Sequence, residues 1–300
     1  LIKRDFTNVY AEMQGAAQAA GVSMLDYIFA LYEELWDKAA STPLDGQAEA
    51  EEEPSPTRGC TDVVARRGAT LTGELLVGHN NDMGASPWSP ASPVEVFPQG
   101  GVPFTFWGID GYSMSISCNR AGMVFTGNEV TADDTKPGIP RLILMRIVSE
   151  ATSLADAAKI LLHPDRASSY NNIVSDSAGN VMDIEGTATE SAEIPLRDDT
   201  LVHTNHHLVL RHRALERPTE SSEYRLRRAT YLLGEGWGQH TLDTFKHLLS
   251  DHRLGQDGIC RHGQGEIITK FSMVFQPEKG LVHYCLGNPC LLPYMTLRYI

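Results

Sequence analysis

Strand-forming stretches in this chain come in runs, and helix-forming stretches come in pairs between them. Residues 61–66 and 73–79 carry β-type patterns separated by Arg67-Gly68. Residues 104–118 and 122–127 follow, turning at Asn119-Arg120-Ala121-Gly122. Residues 139–163 read as helix in two pieces, split near Thr152-Ser153. Residues 171–176 and 180–185 predict a hairpin around Ser177-Ala178-Gly179-Asn180. A strand near 200–204 leads to two helices, about 222–234 and 241–251. The last hairpin is 266–276 and 281–286, turned by Pro277-Glu278-Lys279-Gly280. Alternating strand–helix–strand units build a parallel sheet, whereas hairpins broken by helix pairs predict antiparallel sheets with helices outside, an α+β fold.

The N-terminal fifth reads differently. Residues 8–39 are helical, with Met13, Ala17 and Ala20 on one stripe. Gly21-Val22-Ser23 interrupts them, and Ser23 is placed to cap a second helix from Met24 to about Ala39. Residues 41–58, STPLDGQAEAEEEPSPTR, have almost nothing to bury and read as a surface linker. The chain therefore divides into a helical segment with an acidic linker, 1–59, and a strand-rich unit, 60–300.

Residues 1–59 carry 4 basic and 11 acidic groups, about half of the net charge of −13. No dense basic stripe occurs, so an acidic chain of this kind repels phosphate backbones and nucleic acid is not an expected partner. No apolar run approaches the roughly 18 residues that span a bilayer, so a membrane is not expected either. With 42% hydrophobic and 21% charged residues the chain has enough to bury a core. Its first residue is Leu1 rather than Met, as expected of a fragment or a processed form. Five cysteines and no C-x-x-C argue against a disulfide framework.

The sharpest local feature is Gly59-Cys60-Thr61, where the acidic linker meets the first strand. A lone cysteine is usually buried and inert. Here, a cut between Gly59 and Cys60 would give Cys60 both a thiol and an α-amine, and an amine with a pKa near ~7.7–8 can serve as base at neutral pH. Gly78-His79-Asn80-Asn81-Asp82-Met83 ends an apolar strand. It reads either as a plain polar turn or as a site for Asp82 beside the new amine. Asn119 alone is a turn residue. In His203-Thr204-Asn205-His206-His207, three histidines invite a metal, but no neighbouring acid or cysteine completes a ligand spacing. Asn205 is the more informative member, because an amide at a strand end can donate to an oxyanion. Ser221 to Arg228 opens a helix and reads as a capped basic turn.

Taken in order, Gly-Cys-Thr, Gly-x-Asn-x-Asp, Asn-x-x-Gly, Thr-Asn-His and an Arg-x-x-Arg helix resemble the N-terminal-nucleophile (Ntn) cysteine hydrolases. The isopenicillin N acyltransferase family is the nearer likeness, and choloylglycine hydrolase and penicillin V acylase are more distant cousins. The segment VYAEMQGAAQAAGVSMLDYIFALYEELWD is similar to that family's helix pair before the cysteine. The resemblance implies a four-layer αββα sandwich with two antiparallel sheets. It implies a precursor that cuts itself at Gly59–Cys60, leaving α and β chains that stay associated; a homo-oligomer stays open. It also implies site roles: Cys60 as nucleophile, Asp82 at amine and thiol, Asn119 at the amine and oxyanion region, Asn205 in the oxyanion hole and Arg225 supporting the nucleophile, with Arg228 structural.

Three departures shape the expected activity. His79 stands where the bile-acid cousins carry Arg, the linker is long, and Asn288 stands where the penicillin-forming branch has Arg. These favour a hydrolase of a small amide or peptide-like conjugate, acting through a Cys60 thioester. The alternatives are an acyl-CoA-dependent N-acyltransferase, a metal-dependent hydrolase using His203, His206 and His207, and a catalytically silent binding protein. No cofactor is expected; acyl-CoA would enter only as co-substrate. Phe104, Phe106, Trp107 and Trp88 read either as the lining of an acyl pocket or as core strand packing.

Overall fold

The computed structural model describes residues 1–32, 58–84, 91–108, 116–215, 218–262 and 267–300. Most of the acidic linker and Trp88 lie outside them. Three helices come first: α1 (Ile2–Asp5), α2 (Thr7–Ala20) and α3 (Met24–Ala30). Ser23 caps α3 as its position predicts, accepting from the Asp26 N–H at 3.1 Å. The helix ends at Ala30, and residues 33–39 of the expected stretch lie outside the described residues.

The strands follow in the expected order, except that 104–118 holds two strands paired antiparallel with each other in place of one. They are β1 (Arg58–Arg67), β2 (Gly73–Gly84), β3 (Ser92–Val96), β4 (Phe104–Gly108), β5 (Ile116–Asn119) and β6 (Val124–Asn128). A helix pair, α4 (Arg141–Val148) and α5 (Leu154–Leu161), breaks at Thr152-Ser153, where Ser153 caps α5. Then come β7 (Asn171–Ser175), β8 (Val181–Gly186), β9 (Ser191–Glu193) and β10 (Thr200–His203). The second pair is α6 (Glu220–Glu235) and α7 (Leu242–Leu249), and the chain ends with β11 (Ile267–Gln276), β12 (Leu281–Cys285) and β13 (Met295–Arg298). The short strands β3, β9 and β13 carry no strong alternation and are not visible in the sequence pattern.

Every strand pairing is antiparallel. One sheet has the order β10-β1-β2-β11-β12-β13, the other β3-β4-β5-β6-β7-β8-β9. The inner faces meet through Val64, Val77, Trp107, Ile116, Val124 and Met273. The outer face of the first sheet packs Val63, Leu76 and Val274 against Ala229 and Leu233 of α6 and Phe245 of α7. That of the second packs Phe125 and Val174 against Met145 and Val148 of α4 and Ala157 of α5. The expected four layers, helix–sheet–sheet–helix, are present. The N-terminal helices lie outside them, with Val9 and Met13 of α2 against Ile143 and Ile147 of α4.

The aromatic run of β4 resolves to packing. Trp107 is fully buried, edge-on to Phe275 at 6.2 Å between ring centroids. Phe104 and Phe106 sit on the other face of the strand with Val94 and Val96, and Arg146 lies over the Phe104 ring.

β2 is buried on both faces along most of its length. Gly78 sits where the strand passes under α7: a Cβ there would stand 2.7 Å from Val63 Cγ2 and 3.2 Å from both Leu249 Cδ1 and Phe245 Cδ1. Gly78→Ala is expected to cost about 1–3 kcal/mol through overpacking, read as a lower Tm in calorimetry. An unchanged Tm would mean that α7 moves away without loss.

Candidate active site

The register of β1 on β2 sets the site. Gly59 pairs with Asp82, Cys60 with Asn81, and Asp62 with His79. Alternation along a strand then sorts these residues by face. Val63 and Leu76 belong to the helix-side core and Val64 and Val77 to the inter-sheet core. Gly59, Thr61, Asn80 and Asp82 therefore share the helix side, while Cys60, Asp62, His79 and Asn81 face the second sheet.

On the helix side stands Arg225 of α6, only 1% exposed. Its Nη1 donates to the Cys60 carbonyl, and at 3.0 Å to Thr61 Oγ1. Its Nη2 donates to Asn205 Oδ1 at 2.9 Å. Burial pulls the guanidinium down to about 10, with the Asp82 carboxylate opposing, so it stays cationic at neutral pH. The Asp82 carboxyl is pushed up by burial, while the charges of Arg225 and Arg261 and the Thr269 hydroxyl (2.7 Å) pull it back. Gly59 lies in the middle of these groups. A Cβ there would be 3.0 Å from Arg261 Nη1 and 3.4 Å from both Arg225 Nη2 and Asp82 Oδ2. A side chain beside the Gly59–Cys60 bond would press on two guanidiniums and a carboxylate, which would have to give by a few tenths of an ångström.

Asn205 follows β10 and is fastened to the start of α6, its backbone N–H donating to Ser222 Oγ at 2.9 Å. Its Oδ1 accepts the Cys60 backbone N–H at 2.7 Å, and its Nδ2 donates to the Glu129 carbonyl at 3.1 Å. The amide oxygen thus holds the nitrogen that would become the α-amine.

On the cleft side, His79 Nδ1 is 3.0 Å from both Asp62 carboxylate oxygens, and both residues are fully buried. Burial opposes the imidazolium, but Asp62 and the neighbouring Cys60 sulfur more than offset it and raise His79 to about 10. Its Nε2 is buried without a hydrogen-bond partner among the described residues. Asn81 Nδ2 approaches Cys60 Sγ at 3.7 Å. Cys60 opens onto a cleft walled by Asn81 and Met83 on one sheet and by Gly127, Tyr170 and Asn172 on the other.

Cys60, Asp82, Asn205 and Arg225 therefore converge. Asn119 does not join them. Its Nδ2 donates to the Ser149 and Ala151 carbonyls at 3.0 and 2.7 Å, and its Oδ1 accepts the Ala121 and Met123 N–H groups. The first two bonds fasten the β5–β6 turn to the end of α4, and the other two close the turn itself, as a turn residue does. Of the three histidines of 203–207, His203 lies between Asn128 and Glu185, His207 faces the same Glu185 at 3.7 Å with its Nε2 on the Thr131 carbonyl, and His206 turns away to Ser222, so the three do not gather around one ion. Arg228 pairs with Asp251 at 2.6 Å, away from the cysteine. Sequence reasoning passed over Asp62, Asn81 and Arg261. Only the i, i+2 spacing of Cys60 and Asp62 on a strand could have pointed to the first.

The family model for acyl-coenzyme A:6-aminopenicillanic acid acyl-transferase matches residues 71–290, a stretch that begins after Cys60. Among solved structures, a mutant conjugated bile acid hydrolase from Clostridium perfringens aligns at 13% identity and TM-score 0.53, covering 80% of this chain and 97% of that one. A second variant of the same enzyme aligns at 14% and 0.54, again over 80% and 97%. Penicillin V acylase from Agrobacterium tumefaciens aligns at 12% and 0.47, over 76% and 83%. No curated protein matches the chain in sequence.

The folded chain binds the His79 proton more tightly than the unfolded one. The pair's contribution to stability is therefore full below about pH 6.5 and is lost as pH rises through about 10. Between those values the Tm of the wild type is expected to fall more steeply than that of His79→Gln. Equal slopes would show that the pair adds no stability.

Proposed function

The chain belongs to the acyl-coenzyme A:6-aminopenicillanic acid acyl-transferase family and has the Ntn-hydrolase fold, and we propose that it is a self-processing amidohydrolase with Cys60 as N-terminal nucleophile. The observation that carries this reading is the clamp on the Gly59–Cys60 bond: Asn205 accepts the Cys60 N–H, Arg225 holds the Cys60 carbonyl, and Gly59 lies against Asp82 and Arg261. A backbone segment so fixed holds sulfur and scissile carbonyl in one orientation.

In the first turnover the Cys60 sulfur attacks the Gly59 carbonyl. The C–N bond breaks as the C–S bond forms, the nitrogen takes the thiol proton, and water hydrolyses the thioester. Chains of 59 and 241 residues result. In later turnovers the Cys60 amine, held by Asn205 Oδ1, takes the thiol proton, and the thiolate attacks the substrate amide. The same amine, now charged, protonates the leaving amine. Asn81 Nδ2, which approaches the sulfur, is the side-chain donor placed for the developing oxyanion, and Asn205 Nδ2 joins it by leaving the Glu129 carbonyl; each such donor is worth about 2.7–4 kcal/mol by analogy with measured oxyanion holes. Asp82 acts through Gly59 and Arg225, since it lies on the other face of the strand from the sulfur. The His79 imidazolium supplies positive charge beside the thiolate, where the cousins named above carry Arg.

Water as the final acceptor is favoured by the position of Asn288. Its Nδ2 donates to the Arg261 carbonyl at 2.7 Å, so it fastens two loops and is not among the residues walling the cleft.

Intact-mass spectrometry tests the first step. Wild type is expected as two chains split before Cys60, and Cys60→Ala as one chain of 300 residues. A single species in both would remove the mechanism and favour a silent binding protein. For the second step, Asn205→Ala is expected to lower kcat about 10²–10³-fold. A change within about twofold would exclude Asn205 from the oxyanion site.

A further inference from the structure

The loop between α7 and β11 and the loop after β12 bring a second group of ligating side chains together. Ligand atoms of His252, His262 and Cys290 all lie within 4.8 Å of one another. They are the one such group of three or more histidine, cysteine or acidic residues among the described residues. His252 Nδ1 is 3.0 Å from the Ser250 carbonyl, which fixes that nitrogen as the protonated one and leaves Nε2 its lone pair. His262 Nε2 is buried and has no hydrogen-bond partner among the described residues. The two rings stand edge to face, 5.1 Å between centroids, so their nitrogens are not stacked side by side. Cys260 lies beside the group, its Sγ 3.5 Å from that of Cys290.

We propose that His252, His262 and Cys290 form a binding site for a divalent transition-metal ion of the zinc type, outside the catalytic cleft. Two imidazoles and a thiolate are the donor set of a borderline-soft ion and a poor one for calcium or magnesium. With Zn–S of about 2.3 Å and Zn–N of about 2.0–2.1 Å, tetrahedral ligand atoms stand roughly 3.2–3.8 Å apart. From separations within 4.8 Å, the ligands need to close by about 1.6 Å at most. The Cys290 thiol loses its proton to solvent as the metal–sulfur bond forms. The fourth position is left to water or to Cys260.

The ion would join residues 252–262 to residue 290. These two loops are already linked by Asn288 on the Arg261 carbonyl, and Arg261 Nε is held at 2.6 Å by the Gln256 carbonyl. Arg261 lies between Cys260 and His262 in sequence and reaches Gly59. Metal binding therefore stiffens the segment that carries one of the two guanidiniums beside the self-cleavage bond.

The test is a titration of reduced, metal-free protein with Co²⁺, followed by its thiolate-to-cobalt charge-transfer absorption, then displacement by Zn²⁺. One equivalent of Co²⁺ is expected to give the band, and Cys60→Ala is expected to keep it. Cys290→Ser should lose the band, and His262→Ala should weaken cobalt binding at least tenfold. Both variants should keep the far-ultraviolet circular dichroism of the wild type, because the side chains lie in loops. Absence of the band at stoichiometric Co²⁺ overturns the proposal, and so does a band that survives in Cys290→Ser. A Cys260–Cys290 disulfide that persists in reducing buffer, seen as a loss of two hydrogen masses, with no metal uptake, overturns it as well.

Discussion

The buried guanidinium of Arg225 is the interaction on which the site depends. It reaches from α6 into the first sheet and holds the Cys60 carbonyl, the Thr61 hydroxyl and the Asn205 amide oxygen at once. A charge so far from water is tolerated only when its donors are satisfied and a counter-charge stands close. Asp82 supplies that counter-charge; burial pushes its own carboxyl up, and Arg225 and Arg261 only partly oppose this. These bonds from one guanidinium hold strand, helix and the loop carrying Asn205 as one unit.

A second constraint is the division of labour between the two faces of β1 and β2. The helix face carries the charged groups around Gly59, with Arg225 hydrogen-bonded to the Cys60 carbonyl and Thr61 and Asp82 to Thr269. The cleft face carries the sulfur, the Asp62–His79 pair and Asn81. Antiparallel register alone produces this, since a slip of one residue would exchange every side chain between the faces. Gly78 is required by crowding against Val63 and α7, and Gly59 sits in tight contact with two guanidiniums and a carboxylate.

The order of helices and strands was largely legible, because hairpin runs, turn residues and the caps at Ser23 and Ser153 are local signals. Cys60, Asp82, Asn205 and Arg225 were singled out on motif order and do come together. Asn119 was singled out on the same ground and does not join them, because a turn asparagine that satisfies its own loop has the same local pattern as one aimed at a cleft. The aromatic strand read equally well as pocket or core, and only the position of Trp107 against Phe275 decides for core. Arg261 gave no signal and Asp62 only its i, i+2 spacing from Cys60: an acid directly after Gly-Cys-Thr, and an arginine in a polar loop, look like solvated surface.

By itself the sequence determined the antiparallel, helix-flanked architecture and the place of the cysteine after a glycine at the head of the first strand. These rest on periodicity and on covalent neighbours, which a linear pattern carries. Tertiary structure decided which polar groups share a site. The bond from Cys60 to Asn205 spans 145 positions and that from Arg225 to Cys60 spans 165. The approach of Cys290 to His252 and His262 joins two separate loops. Such contacts follow from strand register and from the docking of helices on sheets, and no spacing along the chain encodes them.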